Sequence, residues 1–247
     1  MNYFDKKRKY LMNSKKTNEY IKDGLQLWLD GIKNSRNGHS NIAYTWQDLS
    51  GNKYDFSFYK GNSAAGIEDN CLRFGGATLY KCQNTTLQEL MMGAKERTIE
   101  IVCSIDTSNT TAKTIFLGGN STELMGGVGM WYRPASNGMC ISGSSYAYET
   151  TDVANPHTYS AIFNSTTYGS ATFYQDNTLR GSKTGGTMAN TQLTIGGRDY
   201  GSSTYAFIGN IYCIRVYDRQ LTQEERQHNR KIDKERFGIW YVSEIYR

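Results

Sequence analysis

The sequence predicts an all-β protein, an antiparallel sandwich of two sheets with one short C-terminal helix. Three observations carry this. From residue 24 onward, short β-rich or alternating runs are separated by Gly, Asn and Ser clusters. The chain of 247 residues holds 25 Gly and only 2 Pro, and a single segment near its end carries a helix start signal. An aromatic content of 13% excludes a disordered chain, and the length suits one sandwich.

The first element is a basic arm. Residues 1–22 hold seven basic and two acidic side chains, and the other 225 hold 21 of each, so the whole net charge of +5 sits in this arm. The arm is expected to lie outside the sandwich, with the domain boundary at residue 23. Lys6, Lys7, Arg8, Lys9, Lys15 and Lys16 make it either a solvated terminus or an attachment arm for a larger assembly. A neutral body argues against nucleic acid as partner. Nothing reaches the roughly 18 apolar residues of a membrane span. The first 24 residues have no apolar core for a secretory signal, so a conventionally secreted protein is not expected. Five cysteines, odd in number and widely spaced, suit neither a disulfide framework nor a metal site and are expected to be reduced.

The strands follow in order. In LQLWL, Leu25, Leu27 and Leu29 share a face. In residues 98–105, Ile99, Ile101, Cys103 and Ile105 face one way while Thr98, Glu100, Val102 and Ser104 are expected to face solvent. Further strands are expected at 71–74, 113–118, 127–132, 138–142, 158–164, 170–175, 192–196 and 206–218, with Gly209 marking a bulge or bend. Thr222 and Glu225 form a capping box for a surface helix over about 222–235, with Ile232 and Phe237 as its sheet contacts. Residues 238–247 form a tail that could add an edge strand or serve as an interface. The predicted core includes Leu27, Leu29, Ile101, Cys103, Ile195, Ile211 and Val216.

The residues that could carry chemistry divide unevenly. His39, His157 and His228 are the only histidines, no GxSxG elbow is present, and each histidine reads as a surface residue. Glu100 and Asp106 lie about 20 Å apart at strand rise, too far for either glycosidase geometry. Asp48, Ser50 and Asn52 alternate beside Gly51 and offer oxygen ligands for Ca²⁺, with Asp48 the metal candidate. The same residues equally suit side-chain bonds that shape a turn, with Trp46 as core anchor. The aromatic segments are the most suggestive: Trp131 and Tyr132, Tyr146 and Tyr148, and Arg198 with Tyr200 and Tyr205. Flat rings beside Asn, Asp and Arg groups are what a sugar site is built from, and rings of the same kind also fill cores.

The segments GLQLWLDG (24–31), WQDLSGN (46–52), CLRFGG (71–76), the 98–105 strand, ATFYQDNTL (171–179), LTIGGR (193–198) and FIGNIYCIRVYDRQLTQEE (207–225) together resemble the laminin-G-like, or concanavalin-A-like, lectin and glucanase jelly roll. The match in order and spacing covers about residues 24–237. The opening piece resembles versions of the domain in virion and tail proteins of gut bacteriophages. The resemblance implies a jelly-roll sandwich that binds carbohydrate or protein ligands, with rim calcium in some members. It also implies an ExDxxE acidic strand in the glucanase branch, from which this sequence departs.

The expected function is therefore non-enzymatic binding of a cell-surface glycan, with Trp131, Tyr132, Tyr146, Tyr148, Arg198, Tyr200 and Tyr205 as ligand residues and no required cofactor. The protein would be carried in many copies on a phage virion made in the host cytoplasm, a cytoplasmic location being the alternative. A structural decoration protein bound to other virion proteins is the alternative function, and a glycoside hydrolase a minor one.

Overall fold

The computed structural model describes residues 19–36, 42–68, 70–92, 94–108, 112–119, 127–141, 148–165, 170–183, 192–198 and 205–239. Lys6, Lys7, Arg8, Lys9, Lys15, Lys16, His39, Tyr146, Tyr200 and residues 240–247 of the tail lie outside them. In chain order the strands are β1 (Leu25–Asp30), β2 (Ile42–Ala43), β3 (Thr45–Trp46), β4 (Phe56–Gly61), β5 (Ala65–Ile67), β6 (Leu72–Gly75), β7 (Thr78–Cys82), β8 (Arg97–Ile105), β9 (Lys113–Gly119) and β10 (Gly127–Arg133). They continue with β11 (Gly138–Ile141), β12 (Tyr148–Glu149), β13 (His157–Phe163), β14 (Ala171–Gln175), β15 (Thr178–Lys183), β16 (Gln192–Ile195) and β17 (Ile208–Tyr217). Helices α1 (Gly31–Arg36), α2 (Thr85–Leu90) and α3 (Gln223–Phe237) and a 3-10 turn at Pro134–Ser136 complete the described elements.

The strands form two antiparallel sheets. The first runs β15-β14-β13-β8-β17-β6-β5-β2, and the second β12-β11-β10-β9-β16-β7-β4-β3. Strand β17 is long enough to take two neighbours along one side: β6 pairs with Ile208–Ile211 and β1 with Cys213–Tyr217. Its register with β8 shifts between Ile211 and Cys213, so the irregularity falls at Tyr212, three residues beyond the Gly209 expected to mark it. Between the sheets lies the main core, in which Leu27, Leu29, Ile101, Cys103, Ile195, Ile211 and Val216 are all fully buried. No helix among the described residues is long and apolar enough to cross a membrane. All five cysteines are buried, and none forms a disulfide.

A second apolar layer corrects the reading of the β8 face. Helix α3 covers the outer side of the first sheet, where Trp28, Val102, Cys213, Tyr217, Leu221, Ile232 and Phe237 pack together. All nine residues of β8 are buried as a result. Glu100, expected at the solvent face, has no exposure and is enclosed by Arg215, Asn229 and Ser160. Helix α3 accordingly buries Arg226, Asn229 and Asp233 as well as Ile232 and Phe237. Its capping box is formed as the sequence predicts: the Thr222 hydroxyl accepts from the Glu225 amide while the Glu225 carboxylate accepts from the Thr222 amide.

The arm boundary also moves. Tyr20 is buried, edge-on to Trp28 at 5.5 Å between ring centroids, and donates to Asp233 Oδ1 at 2.8 Å. The Ile21 amide donates to Asn229 Oδ1, so the chain joins the fold before residue 23. His157 is a second correction. It opens β13, is buried, and has Nδ1 2.6 Å from Asp176 Oδ2 and Nε2 2.9 Å from the Asp152 carbonyl. His228 lies on α3 with Nε2 2.9 Å from the Glu19 carbonyl.

Candidate functional site

Three chain reversals meet at the end of β4, β7 and β16. Gly61 there has φ +134°, and an added Cβ would lie 1.6 Å from the Ala77 carbonyl oxygen. Gly196 has φ +85°, and an added Cβ would lie 2.5 Å from the Thr78 carbonyl oxygen. Both positions combine a positive φ with backbone contact that no side chain tolerates, so glycine is what brings the three segments together. The close approach leaves a cleft of about 390 Å³, lined by Lys60, Asn62, Thr78, Gly197, Arg198 and Ala206 among others. That volume is in the range of small-ligand sites.

Arg198 forms a wall of this cleft, with its guanidinium carbon 3.6 Å from the centre of the Tyr205 ring. Burial pulls its pKa down, with Tyr205 opposing the shift. Its Nε–H is buried and has no acceptor among the described residues. Ala206 bridges to Thr114 of β9, and Thr114 lies directly opposite Trp131 of β10. The Thr114 hydroxyl and the Trp131 indole N–H are likewise buried without partners among the described residues. The Arg198 cleft and this pair of unpaired groups thus occupy neighbouring strands. Such groups are uncommon in folded proteins and mark places where a ligand or water completes the bonding.

The remaining predicted residues do not assemble here. Strand geometry sends Tyr132 inward beside Met130 in the core, where its hydroxyl donates to Asn137 Oδ1 at 2.8 Å. Trp131 faces the other way but is only 6% exposed, so neither ring is offered as a stacking surface. Tyr148 is half-buried and stacked on Phe173 at 5.8 Å, with Gly181 beneath it. It lies on β12, four strands from β16, a separation of about 19 Å at ordinary strand spacing. Tyr146 and Tyr200 lie outside the described residues.

Asp48 is a correction. Its carboxylate accepts from the amides of Trp28, Ser50 and Tyr54 at 2.9, 2.9 and 3.0 Å and from the Ser50 hydroxyl at 2.7 Å. Four donors fill the lone pairs of one carboxylate, so Asp48 pins its turn to β1 and has none left for a cation. Among the described residues no group of three or more His, Cys, Asp or Glu side chains is placed to hold a metal ion. Sequence reading missed Lys60, Asn62 and Thr78. The Gly-Asn turn at 61–62 is the signal that could have found them.

The fold is shared with solved structures of low sequence identity. Domain 4 of AbnA, a GH43 extracellular arabinanase from Geobacillus stearothermophilus in complex with arabinotriose, matches with a TM-score of 0.60 at 14% identity, over 83% of this chain and 98% of that one. Trypanosoma rangeli sialidase in complex with sialic acid matches with a TM-score of 0.58 at 14% identity, over 86% of this chain. The chain spans 33% of that sialidase. The botulinum neurotoxin serotype D binding domain matches with a TM-score of 0.54 at 16% identity, over 85% of this chain and 52% of that one. No curated protein matches in sequence. Residues 81–225, more than half the chain, match the laminin G family described as the concanavalin A-like lectin/glucanases superfamily, and the chain belongs to that superfamily.

Proposed function

We propose that the protein is a non-enzymatic carbohydrate-binding module whose ligand enters the cleft beside Arg198 and Tyr205. The observation that carries this reading is the Arg198 guanidinium held 3.6 Å over the Tyr205 ring with its Nε–H buried and unpaired. An arginine fixed by a ring presents oriented donors, which suits vicinal sugar hydroxyls. Lys60 and Asn62 add an ammonium and an amide at the cleft mouth. The described residues that line the cleft include no Asp or Glu, and Glu100 is enclosed under α3, which supports binding over hydrolysis. The arabinotriose complex of the arabinanase domain, a relative in fold, supports sugar as the ligand class.

One aromatic contact contributes about 1 kcal/mol, so a single site is weak and many copies are needed for attachment. Display on a phage particle, to which the opening motifs of the sequence point, would supply them. The test is a glycan array probed with a multimerised form of the wild type, Arg198→Ala and Tyr205→Ala. Loss of the wild-type signals in both variants is expected. Unchanged signals in both would place the ligand elsewhere, and release of sugar products by the wild type would make the protein a hydrolase.

A further inference from the structure

On the outer face of the first sheet, beside α3, Trp28 is part of a hollow of about 50 Å³ whose other walls are Glu19, Tyr20, Lys22, Lys33 and Arg236. A water-sized sphere takes roughly 10–15 Å³ by this measure, so the hollow holds about four heavy atoms. That is too little for a sugar ring. It suits one tetrahedral group.

The surrounding charge is positive and incompletely paired. Lys33 Nζ lies 4.2 Å and Lys22 Nζ 5.5 Å from the Trp28 ring centre, and Arg236 is the third cation. Two carboxylates stand against them. Asp30, without exposure, is taken up by Arg236 Nη2 at 2.7 and 2.6 Å, by the Lys33 amide and by the Trp28 indole N–H. Glu19 reaches Lys22 only at 3.9 Å, with both side chains largely exposed. Among the described residues no carboxylate pairs with the Lys33 ammonium, and the buried Arg236 Nε–H has no acceptor.

We propose that this hollow binds a single tetrahedral oxyanion, a phosphate or sulfate group, either free or as an ester. Two ammonium groups supply movable donors beside the positive charge of the Arg236 guanidinium, and charge-assisted bonds of this kind are what such a group requires. The site lies on the other sheet from the Arg198 cleft and does not depend on the carbohydrate reading.

The test is an NMR titration of the full chain with inorganic phosphate and with sulfate, at constant ionic strength set by chloride. Saturable shifts of the Trp28 indole N–H and the Ile21 amide are expected. The double variant Lys22→Gln/Lys33→Gln should bind at least tenfold more weakly with an unchanged melting temperature in chloride, and Lys33→Arg should retain binding. Galactose 6-sulfate against galactose separates the sources: a response to the ester but not to free sulfate assigns the hollow to sulfated sugars, and a response to free ions assigns it to the ion. Absence of a saturable shift with phosphate, sulfate and the ester overturns the proposal, as does wild-type affinity in the double variant.

Discussion

Arg215 Nε lies 3.1 Å from Glu100 Oε2, and neither side chain has any exposure. The same guanidinium binds both oxygens of Asp233 at 2.7 and 2.8 Å. One cation therefore serves two buried carboxylates, with Asn229 and Ser160 adding donors to Glu100. This cluster fastens α3 to the first sheet. Removing its cation leaves two buried anions, so Arg215→Met is expected to destabilise by about 3–5 kcal/mol in urea unfolding.

Glu100 should respond to pH in the opposite sense from a surface carboxylate. Burial raises its pKa above the ordinary 4.5 and the Asp233 charge adds to this, while Arg215 opposes it. A raised carboxylate contributes its stability fully below the unfolded value and loses it as pH rises through the folded one. Glu100→Gln should therefore gain on the wild type as pH rises from the unfolded value through the folded one, measured by urea unfolding from pH 4 to 8. A steady loss for the variant over that range would mean that Arg215 and Asn229 outweigh burial.

Tyr20 extends the cluster to the N-terminal segment. Its hydroxyl donates to Asp233 and its ring faces the Arg215 guanidinium at 4.1 Å. Tyr20→Phe should lose about 1.5–3 kcal/mol, the range for a hydrogen bond to a charged group. Tyr20→Ala should lose about 3–5 kcal/mol, because the ring's burial goes too. Truncation through residue 22 should accordingly lower the melting temperature.

The start of α3 has its own acid sensitivity. The hydrogen bond from Arg219 holds the Glu225 carboxyl below its ordinary 4.5, and the Thr222 amide adds to this. A depressed carboxylate contributes its stability above the unfolded value and loses it as pH falls through the folded one. Thr222→Ala should cost about 1 kcal/mol at neutral pH. Glu225→Gln should flatten the fall in stability below pH 4.5, followed by thermal unfolding.

The two-sheet core was legible because strands such as Leu25–Asp30 and Arg97–Ile105 alternate or run apolar between turn signals. The outer layer was not. Thr98, Glu100 and Ser104 read as a solvent face because polarity, not partners, is what a sequence displays. Glu100 is enclosed by Arg215 and Asn229, and the Thr98 hydroxyl is held by the Arg219 carbonyl and the Leu221 amide, all more than a hundred residues away. Strands β4, β5, β7 and β15 were missed because they are short or carry Lys and Gly, as in FSFYKG and TLRGSK. At the site, the Arg198–Tyr205 pairing was readable from a short segment. The cleft itself rests on Gly61 meeting Ala77, a tertiary contact that no local pattern encodes.

Gly61 gives the cleft a direct structural test. Gly61→Ala must displace the Ala77 carbonyl and should cost about 1–3 kcal/mol from backbone strain alone while weakening glycan binding. Gly75 has open space around its Cβ direction, so Gly75→Ala should leave stability within about 1 kcal/mol of the wild type and binding unchanged.

Entry of sugar into the cleft beside Arg198 and Tyr205 is tested by following backbone amide shifts during titration with the strongest glycan from the array. Saturable shifts centred on Gly196, Gly197, Arg198 and Ala206, abolished in Arg198→Ala, are predicted. Shifts confined to residues away from the cleft, or shifts that persist in Arg198→Ala, would contradict it.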